Sequence, residues 1–439
     1  MPDEPATTNI APALPQASRL RRWAHRLTAF FVGQGLVQVL NLATGFLLIR
    51  WLSVNDYAVY SVVTGFQASA GMLVELGLGS SIVALLAGRT DPVVVGGYIR
   101  STRHYRNRFF LFLLPVIVVA FPVLTFRQGW GWSLTGWLLA AILVSIYYQS
   151  WASYYSVPLL IHHELALYYR TPSLLGVARL GISLVLHLTA LLTAMASVWL
   201  SAFSTVAQGW FYRWHVARHI VEPPESDPAK NREVLLYIRP LIPSVIFFAL
   251  QGQINVLLIT WFGKAQSIAE VGALGRLGQV FAMLGAFNNV IIAPAIARTP
   301  NGRLFRRYLQ VLGGAVGVSA TLASAAFLFP RLFLWLLGSK YNHLEHEIGW
   351  MMVSSCIAYL GGVMWTMHSA RKWIFTWGVW SYIGAVVLTQ IAGLVLMDLS
   401  TTRNVILFSV FSSLATLLIQ VAWGIVGFWA KKRASRREV

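Results

Sequence analysis

Apolar residues in this chain come in long runs rather than in alternation, and short polar, basic or Pro/Gly-containing stretches separate the runs. A helix that crosses a bilayer needs roughly 20 consecutive apolar residues, and about twelve runs approach that requirement. They cover residues 27–50, 58–88, 106–126, 132–157, 172–193, 195–213, 237–262, 268–295, 308–330, 347–369, 372–397 and 403–430. The pattern predicts an all-α, polytopic membrane protein. The longest polar stretch, 214–236, contains EPPESDPAKNRE and falls between the sixth and seventh runs. It reads as a cytoplasmic linker between two six-helix lobes, 27–213 and 237–430. A basic leader, 1–26, and a basic tail, 431–439, flank the lobes; the leader's Pro/Ala content predicts disorder. The halves share a weak internal match: Leu47-Leu48-Ile49-Arg50-Trp51 lies against Leu257-Leu258-Ile259-Thr260-Trp261, and Gln67 falls opposite Gln279. Repeats related by an axis along the membrane normal are built around a substrate site at their interface, so the pattern points to a transporter.

Composition excludes other classes. The 439 residues are 57% hydrophobic and only 11% charged, far below the roughly 25% of an ordinary soluble domain. Soluble enzyme, disordered tail and fibrous protein are thereby excluded. The net charge of +19 would suggest nucleic acid in a soluble chain, but here the basic residues flank apolar runs and act as topology signals. Arg50, Arg127, Lys264, Arg331, Lys340 and Arg403 fall on one side of the predicted crossings, and nearly all the others fall on the opposite side. Basic flanks stay cytoplasmic, which places both termini in the cytoplasm of a multi-pass membrane protein, with no nucleic-acid partner. The stretch 98–108 (YIRSTRHYRNR) and the tail KKRASRR are suited to anionic lipid headgroups, or serve topology alone. The leader lacks a signal-peptide cleavage site. The single cysteine, Cys356, lies in an apolar run and excludes a disulfide framework.

No phosphate-binding loop or dinucleotide fingerprint is present, so no cofactor is expected. His215 with His219, and His343-Leu344-Glu345-His346, have metal-ligand residue types but lack a third and fourth ligand; no metal site is predicted. The informative groups are polar residues inside apolar runs: Glu75, Arg179 and Arg276. A charge at the helix centre costs about 2.5–3.5 kcal/mol on insertion scales, so such residues face a bundle interior or a wet cavity. Their combined charge favours an anionic substrate. The plainer alternative is an ion pair locking two helices, or an arginine reaching an interface, with Arg179 toward the inner surface and Arg276 toward the outer. Amides form a second set: Gln34, Gln38 and Asn41 share one face of the first run, and Gln251, Gln253, Asn255, Asn288 and Asn289 follow in the second half. They suit sugar hydroxyls or hold neighbouring helices. Gly313, Gly314 and Gly317 suggest close helix approach, Gly272, Gly275 and Gly278 suggest the same or a flexing point, and Trp130, Trp132, Trp210 and Tyr212 suggest interfacial anchoring.

Several segments carry a family resemblance. Gly33-Gln34-Gly35 through Asn41, Gly45 through Arg50 to Asp56-Tyr57-Ala58-Val59-Tyr60, and Glu75-Leu76-Gly77-Leu78-Gly79 resemble the start of O-antigen-type polysaccharide flippases. Arg239-Pro240-Leu241-Ile242-Pro243, Gln253-Ile254-Asn255, Ala269-Glu270-Val271-Gly272 and Leu336-Leu337-Gly338-Ser339-Lys340-Tyr341 are similar too. These flippases belong to the multidrug, oligosaccharidyl-lipid and polysaccharide (MOP) exporter superfamily. The resemblance implies a V-shaped bundle, alternating access, and a polyprenyl-pyrophosphate-linked oligosaccharide as cargo. It also places Glu75 at the family's acidic position in the second helix, whereas Gln253 and Asn255 stand where many relatives carry charge.

The resulting expectation is a flippase for polysaccharide or O-antigen biosynthesis. Arg179 and Arg276 meet the pyrophosphate, because guanidinium binds phosphate bidentately. Gln34, Gln38, Asn41, Gln253 and Asn255 meet the sugars, and Glu75 couples transport to H+ or Na+. Membrane lipids surround the chain, and a glycan polymerase is a candidate partner. Two alternatives compete: a drug or cation antiporter of the same superfamily, which needs an acidic cavity, and a membrane glycan polymerase, which needs a larger outer loop than residues 331–346.

Overall fold

The computed structural model describes residues 16–435 apart from 87–90, 163, 219, 372 and 374–375. Among the described residues all regular structure is helical. In the first half run α1 (Gln16–Trp51), α2 (Val54–Glu75), α3 (Leu78–Leu85), α4 (Pro92–Arg127), α5 (Trp132–Ile161), α6 (Leu165–Leu188) and α7 (Ala194–Val216). The helix α8 (Pro228–Ile238) belongs to the linker. The second half contains α9 (Ile242–Gln251), α10 (Ile254–Phe262), α11 (Ala265–Leu277), α12 (Gln279–Phe287), α13 (Ala293–Arg298), α14 (Leu304–Leu328), α15 (Pro330–Leu337), α16 (Glu345–Ala370), α17 (Thr376–Leu396) and α18 (Thr402–Ser435).

Among the described residues, eight helical segments are long and apolar enough to cross a membrane. The remaining predicted crossings are α2 with α3, α5, α7, and α11 through α13. These are interrupted, or rich in Trp, Tyr, Ser and Gly, which lowers mean hydropathy. Much of α2 and α5 is buried against protein, so lipid touches only part of their surface and a uniformly apolar sequence is unnecessary.

Several boundaries differ from the sequence expectation, each for a local reason. The run 58–88 breaks at Leu76 and Gly77, both left-handed (φ 42° and 76°). The run 237–262 breaks at Gly252–Gln253, and 268–295 breaks at Gly278 and again at a π-helical turn, Asn288–Ile292. The outer stretch 331–346 holds α15 and a 3-10 turn, Ser339–Leu344. The polar linker is partly helical: Asp227 caps α8 through Ala229 N–H, and Pro228 occupies the first turn, where its missing donor is harmless. Residues 16–26 of the predicted leader continue α1, and 1–15 lie outside the described residues.

The lobes repeat one arrangement. Asp56, in the first turn of α2, accepts the Ala194 backbone N–H that opens α7 (3.0 Å). Glu270 on α11 accepts the hydroxyl of Thr402, which opens α18. An acid on the second helix of each lobe thus meets the start of that lobe's last helix, where the helix dipole favours negative charge. Glu270 also accepts from Gln266 (2.7 Å) and lies 2.7 Å from His343 Nε2. His343 is therefore committed to a carboxylate, and His219 falls outside the described residues.

Three apolar cores show how the lobes meet. One core joins both: Leu48, Leu52, Tyr57 and Val62 pack with Ile268, Leu274, Leu337 and Tyr341. The other two each belong to one half. The first contains Leu78, Val95, Tyr155 and Tyr212 with the linker residues Val234 and Ile238; the second contains Ile296, Tyr308, Val363 and Met367. The lobes share a core at the end away from the linker and have separate cores toward it, which gives a V that opens at the linker end.

Candidate functional site

The cavity between the lobes is built where helices break. It has a volume of about 540 Å³, and Gly252, Gln253, Arg276 and Gly278 line it beside Ser61, Thr64 and Gly65 of α2. A discontinuous helix offers unpaired backbone groups to such a cavity, as in many transporters. Arg276 sits in the last turn of α11, where a cation complements the helix dipole. Its guanidinium lies 5.7 Å from the Tyr60 ring centre and within hydrogen-bonding reach of Tyr57 and Tyr60. It also approaches α1: a Cβ added at Gly45 would be 3.6 Å from its NH1. Arg179 on α6 donates to Asn41 Oδ1 (2.7 Å), while its Nε is buried without a partner.

Asn41 and Gly45 occupy consecutive turns of α1, about 6 Å apart along the axis. Both guanidiniums therefore converge on one segment of α1 instead of lying toward opposite surfaces. Among the described residues neither arginine has a carboxylate at ion-pair distance. Gln34 and Gln38 continue the same α1 face, half buried. Asn255 lines the cavity and its buried Oδ1 has no partner. Gln251 instead exchanges two 2.7 Å hydrogen bonds with Gln390, and Asn288 accepts from Tyr359 (3.3 Å). These two amides hold helices together; the side chain of Asn289 lies outside the described residues.

Glu75 is in a different place. It ends α2 and faces a cavity of about 520 Å³ inside the first lobe, with Gln67, Gln149, Ser156, Thr205 and Gln208. Ser153 donates to its Oε1 (2.8 Å), and Gly79 makes room for it, since a Cβ there would come within 2.7 Å of that oxygen. The acid and the arginine pair do not form one site.

Sequence reasoning missed two features. Arg106, counted as a flanking charge, is fully buried, donates to the Tyr147 carbonyl (2.8 Å) and stacks on the Tyr147 ring at 4.4 Å. The charges Arg50, Arg127 and Lys340 close the seam at the end away from the linker. Lys340 donates to the carbonyls of Arg50 (2.9 Å) and Leu52 (2.6 Å), which end α1, and Arg50 donates to the Trp335 carbonyl. Arg127 donates to the Trp261 carbonyl (2.6 Å) and stacks on its ring at 4.6 Å; Gln128 reaches the carbonyls of Thr260 and Gly263. Of the glycines expected to allow close helix approach, Gly272 does so. Gly313, Gly314 and Gly317 face open space, whereas a Cβ at Gly272 would meet Ser61 Oγ at 2.3 Å. Trp132 and Trp210 are exposed as expected of anchors, but Tyr212 is buried and donates to the Tyr168 carbonyl.

A Gly272→Val substitution is expected to force α2 and α11 apart and to destabilise the folded protein by about 1–3 kcal/mol, the usual cost of overpacking. Gly275→Ala, where nothing lies within 4 Å of the added Cβ, is the control. Thermal unfolding of the two variants in detergent checks the difference.

No family model matches the sequence, and no curated protein does. Solved structures do match the fold. An inward-facing multidrug resistance MATE family transporter of the MOP superfamily aligns with a TM-score of 0.64 at 14% identity, over 91% of this chain and 95% of that one. The lipid II flippase MurJ, in an inward closed conformation, aligns at 0.65 and 13%, over 89% and 86%. An outward-facing MATE family transporter aligns at 0.54 and 14%, over 92% and 95%. The chain has the polytopic all-α fold that MATE transporters share with the MurJ flippase, the fold of the MOP transporter superfamily.

Proposed function

We propose that this chain is a flippase that moves a polyprenyl-pyrophosphate-linked oligosaccharide from the cytoplasmic to the outer leaflet of the bacterial inner membrane by alternating access. Both termini and the linker then face the cytoplasm, and residues 27–213 and 237–430 rock against each other as two lobes. One observation carries the reading: two arginines without carboxylate partners among the described residues converge on consecutive turns of α1 beside the cavity between the lobes. Guanidinium in a site of low dielectric suits pyrophosphate and repels a cation. The open linker end, and the higher TM-score with the inward-facing than with the outward-facing MATE family transporter, support an inward-facing state. Glu75, with Ser153 and the surrounding amides, is the carboxylate that couples transport to H+ or Na+. A polymerase that extends the translocated glycan is the partner this reading implies.

A second reading, drug or cation export, is favoured by the Glu75 cavity. A deletion strain separates the two. The flippase reading expects lipid-linked oligosaccharide to accumulate on the inner leaflet, surface glycan to disappear, and drug susceptibility to stay unchanged. It also expects Glu75→Gln to reproduce the glycan loss at normal protein level. Raised drug susceptibility with intact surface glycan would replace it with the antiporter.

A further inference from the structure

A second chamber, of about 580 Å³, lies toward the linker end between α9, α16, α17 and α18. Its size is typical of small-molecule sites. Phe247, Phe248, Trp365, Tyr382 and Trp423 wall it, and among the described residues no acidic or basic side chain lines it. The Trp365 and Trp423 rings are 5.7 Å apart, and Tyr382 meets Phe247 edge-on at 5.6 Å.

Two donors are left over in this apolar setting. Trp423 is 1% exposed, and its indole N–H has no partner among the described residues. A buried unmet donor is destabilising and calls for an acceptor. Gln420 lines the same chamber, and its Oε1 is engaged by His368 Nδ1 (3.1 Å), whose Nε2 faces the Tyr308 hydroxyl (3.0 Å). With the carbonyl oxygen held by that chain, the amide NH2 of Gln420 is the group available to the chamber. The Ser413 and Thr416 hydroxyls add further polar atoms.

The chamber continues the central cavity along two shared helices. On α9, Phe248 lines the chamber, and Gly252, at the end of that helix, lines the cavity of Arg276; four residues of helix rise about 6 Å. On α16, Met351 lines the cavity and Ala358 the chamber, about 10 Å further toward the linker end.

We propose that this chamber is the glycan subsite, holding uncharged sugar rings of the cargo while its pyrophosphate lies at Arg276; the proposal rests on the flippase reading. A sugar ring presents apolar C–H faces to aromatic walls, and its ring and hydroxyl oxygens accept from Trp423 and Gln420. A prenyl chain fills the walls but leaves both donors unmet. A cationic drug finds no carboxylate there, and an acidic sugar finds no cation. Because the glycan is attached to the pyrophosphate, a head anchored at Arg276 sets the first sugars within reach of the chamber.

The test measures binding to the purified full chain in nanodiscs. The probes are lipid-linked oligosaccharide extracted from cells that lack the transporter, and sugar-free polyprenyl pyrophosphate. The readout is the ratio of the two affinities. Trp423→Phe, which removes the N–H, and Trp365→Leu, which removes a wall, are each expected to lower that ratio about five- to tenfold, the loss of one or two such contacts. Affinity for the sugar-free lipid should stay within twofold of wild type. An unchanged ratio in both variants, or a selective loss of the sugar-free lipid, overturns the glycan subsite and leaves the flippase standing. Failure of wild type to bind either probe overturns the flippase reading itself.

Discussion

Arg276→Ala is expected to abolish surface glycan while the protein accumulates in the membrane at its normal level. The guanidinium lies against the Tyr60 ring and the face of α1, with no carboxylate among the described residues to neutralise it. On the flippase reading, that positive charge meets the pyrophosphate of the cargo. Removing a buried partner of a charged group costs roughly 2–5 kcal/mol, which is about 30-fold or more in affinity. Arg276→Lys keeps the charge but loses the planar two-pronged donor, so partial function is expected. Arg179→Ala should be as severe, because Arg179 addresses the next turn of α1. Immunoblots of surface glycan, paired with blots of the transporter, check all three. Wild-type glycan in both alanine variants would remove the arginines from the site, and lost protein would mark Arg276 as structural.

The second large effect is expected at the seam where Arg50 and Lys340 meet. A Cβ built on Gly338 lies 3.8 Å from the Cβ of Arg50, inside the range of a disulfide. The paired substitution Arg50→Cys with Gly338→Cys should therefore oxidise and lock the outer end shut. Transport should stop on oxidation and recover with reductant. Gly338 has φ 96° and ψ 164°, a region that costs a side chain about 1–3 kcal/mol. Gly338→Ala isolates that cost and should lower thermal stability without making transport sensitive to oxidant. Cys356, the only native cysteine, is buried against the Ser319 carbonyl and leaves the background quiet. Transport that persists in the cross-linked protein would mean that the seam does not open during the cycle.

How much of this was legible in the sequence depended on the kind of signal. Crossings with a continuous apolar surface, such as residues 109–126 of α4 and 405–430 of α18, were clear because burial in lipid demands it, whereas the basic first half of α4 read as a flank. The break at Gly252 carried a glycine as its only mark, and Gly278 stood in a set of glycines that suited either packing or a flexing point; a glycine inside an apolar run serves both. The helix α8 was hidden by its polar composition, although Asp227-Pro228 is a capping signature. Arg276 and Arg179 stood out because embedded charge is expensive, but their convergence on α1 is a tertiary fact that spacing along the chain does not encode. Lys340 and Arg50 looked like ordinary topology charges; their role depends on carbonyls at the end of α1 that become acceptors only once the lobes meet. Trp423 was one of 18 tryptophans, and it is distinguished by an unpartnered N–H, which Trp151 shares, together with its place in the chamber wall.

The connector between the halves has a consequence for biogenesis. Val234 and Ile238 are wholly enclosed in the first lobe's own core, and Glu222 is clamped by Arg103 (3.0 Å) and Tyr155 (2.7 Å). The nascent N-terminal bundle therefore stays incomplete when its sixth helix has left the translocon, and it matures only after the ribosome has delivered Ile238. The strap that joins the halves is the last piece of one of them, so during synthesis the order of completion follows the order of the chain.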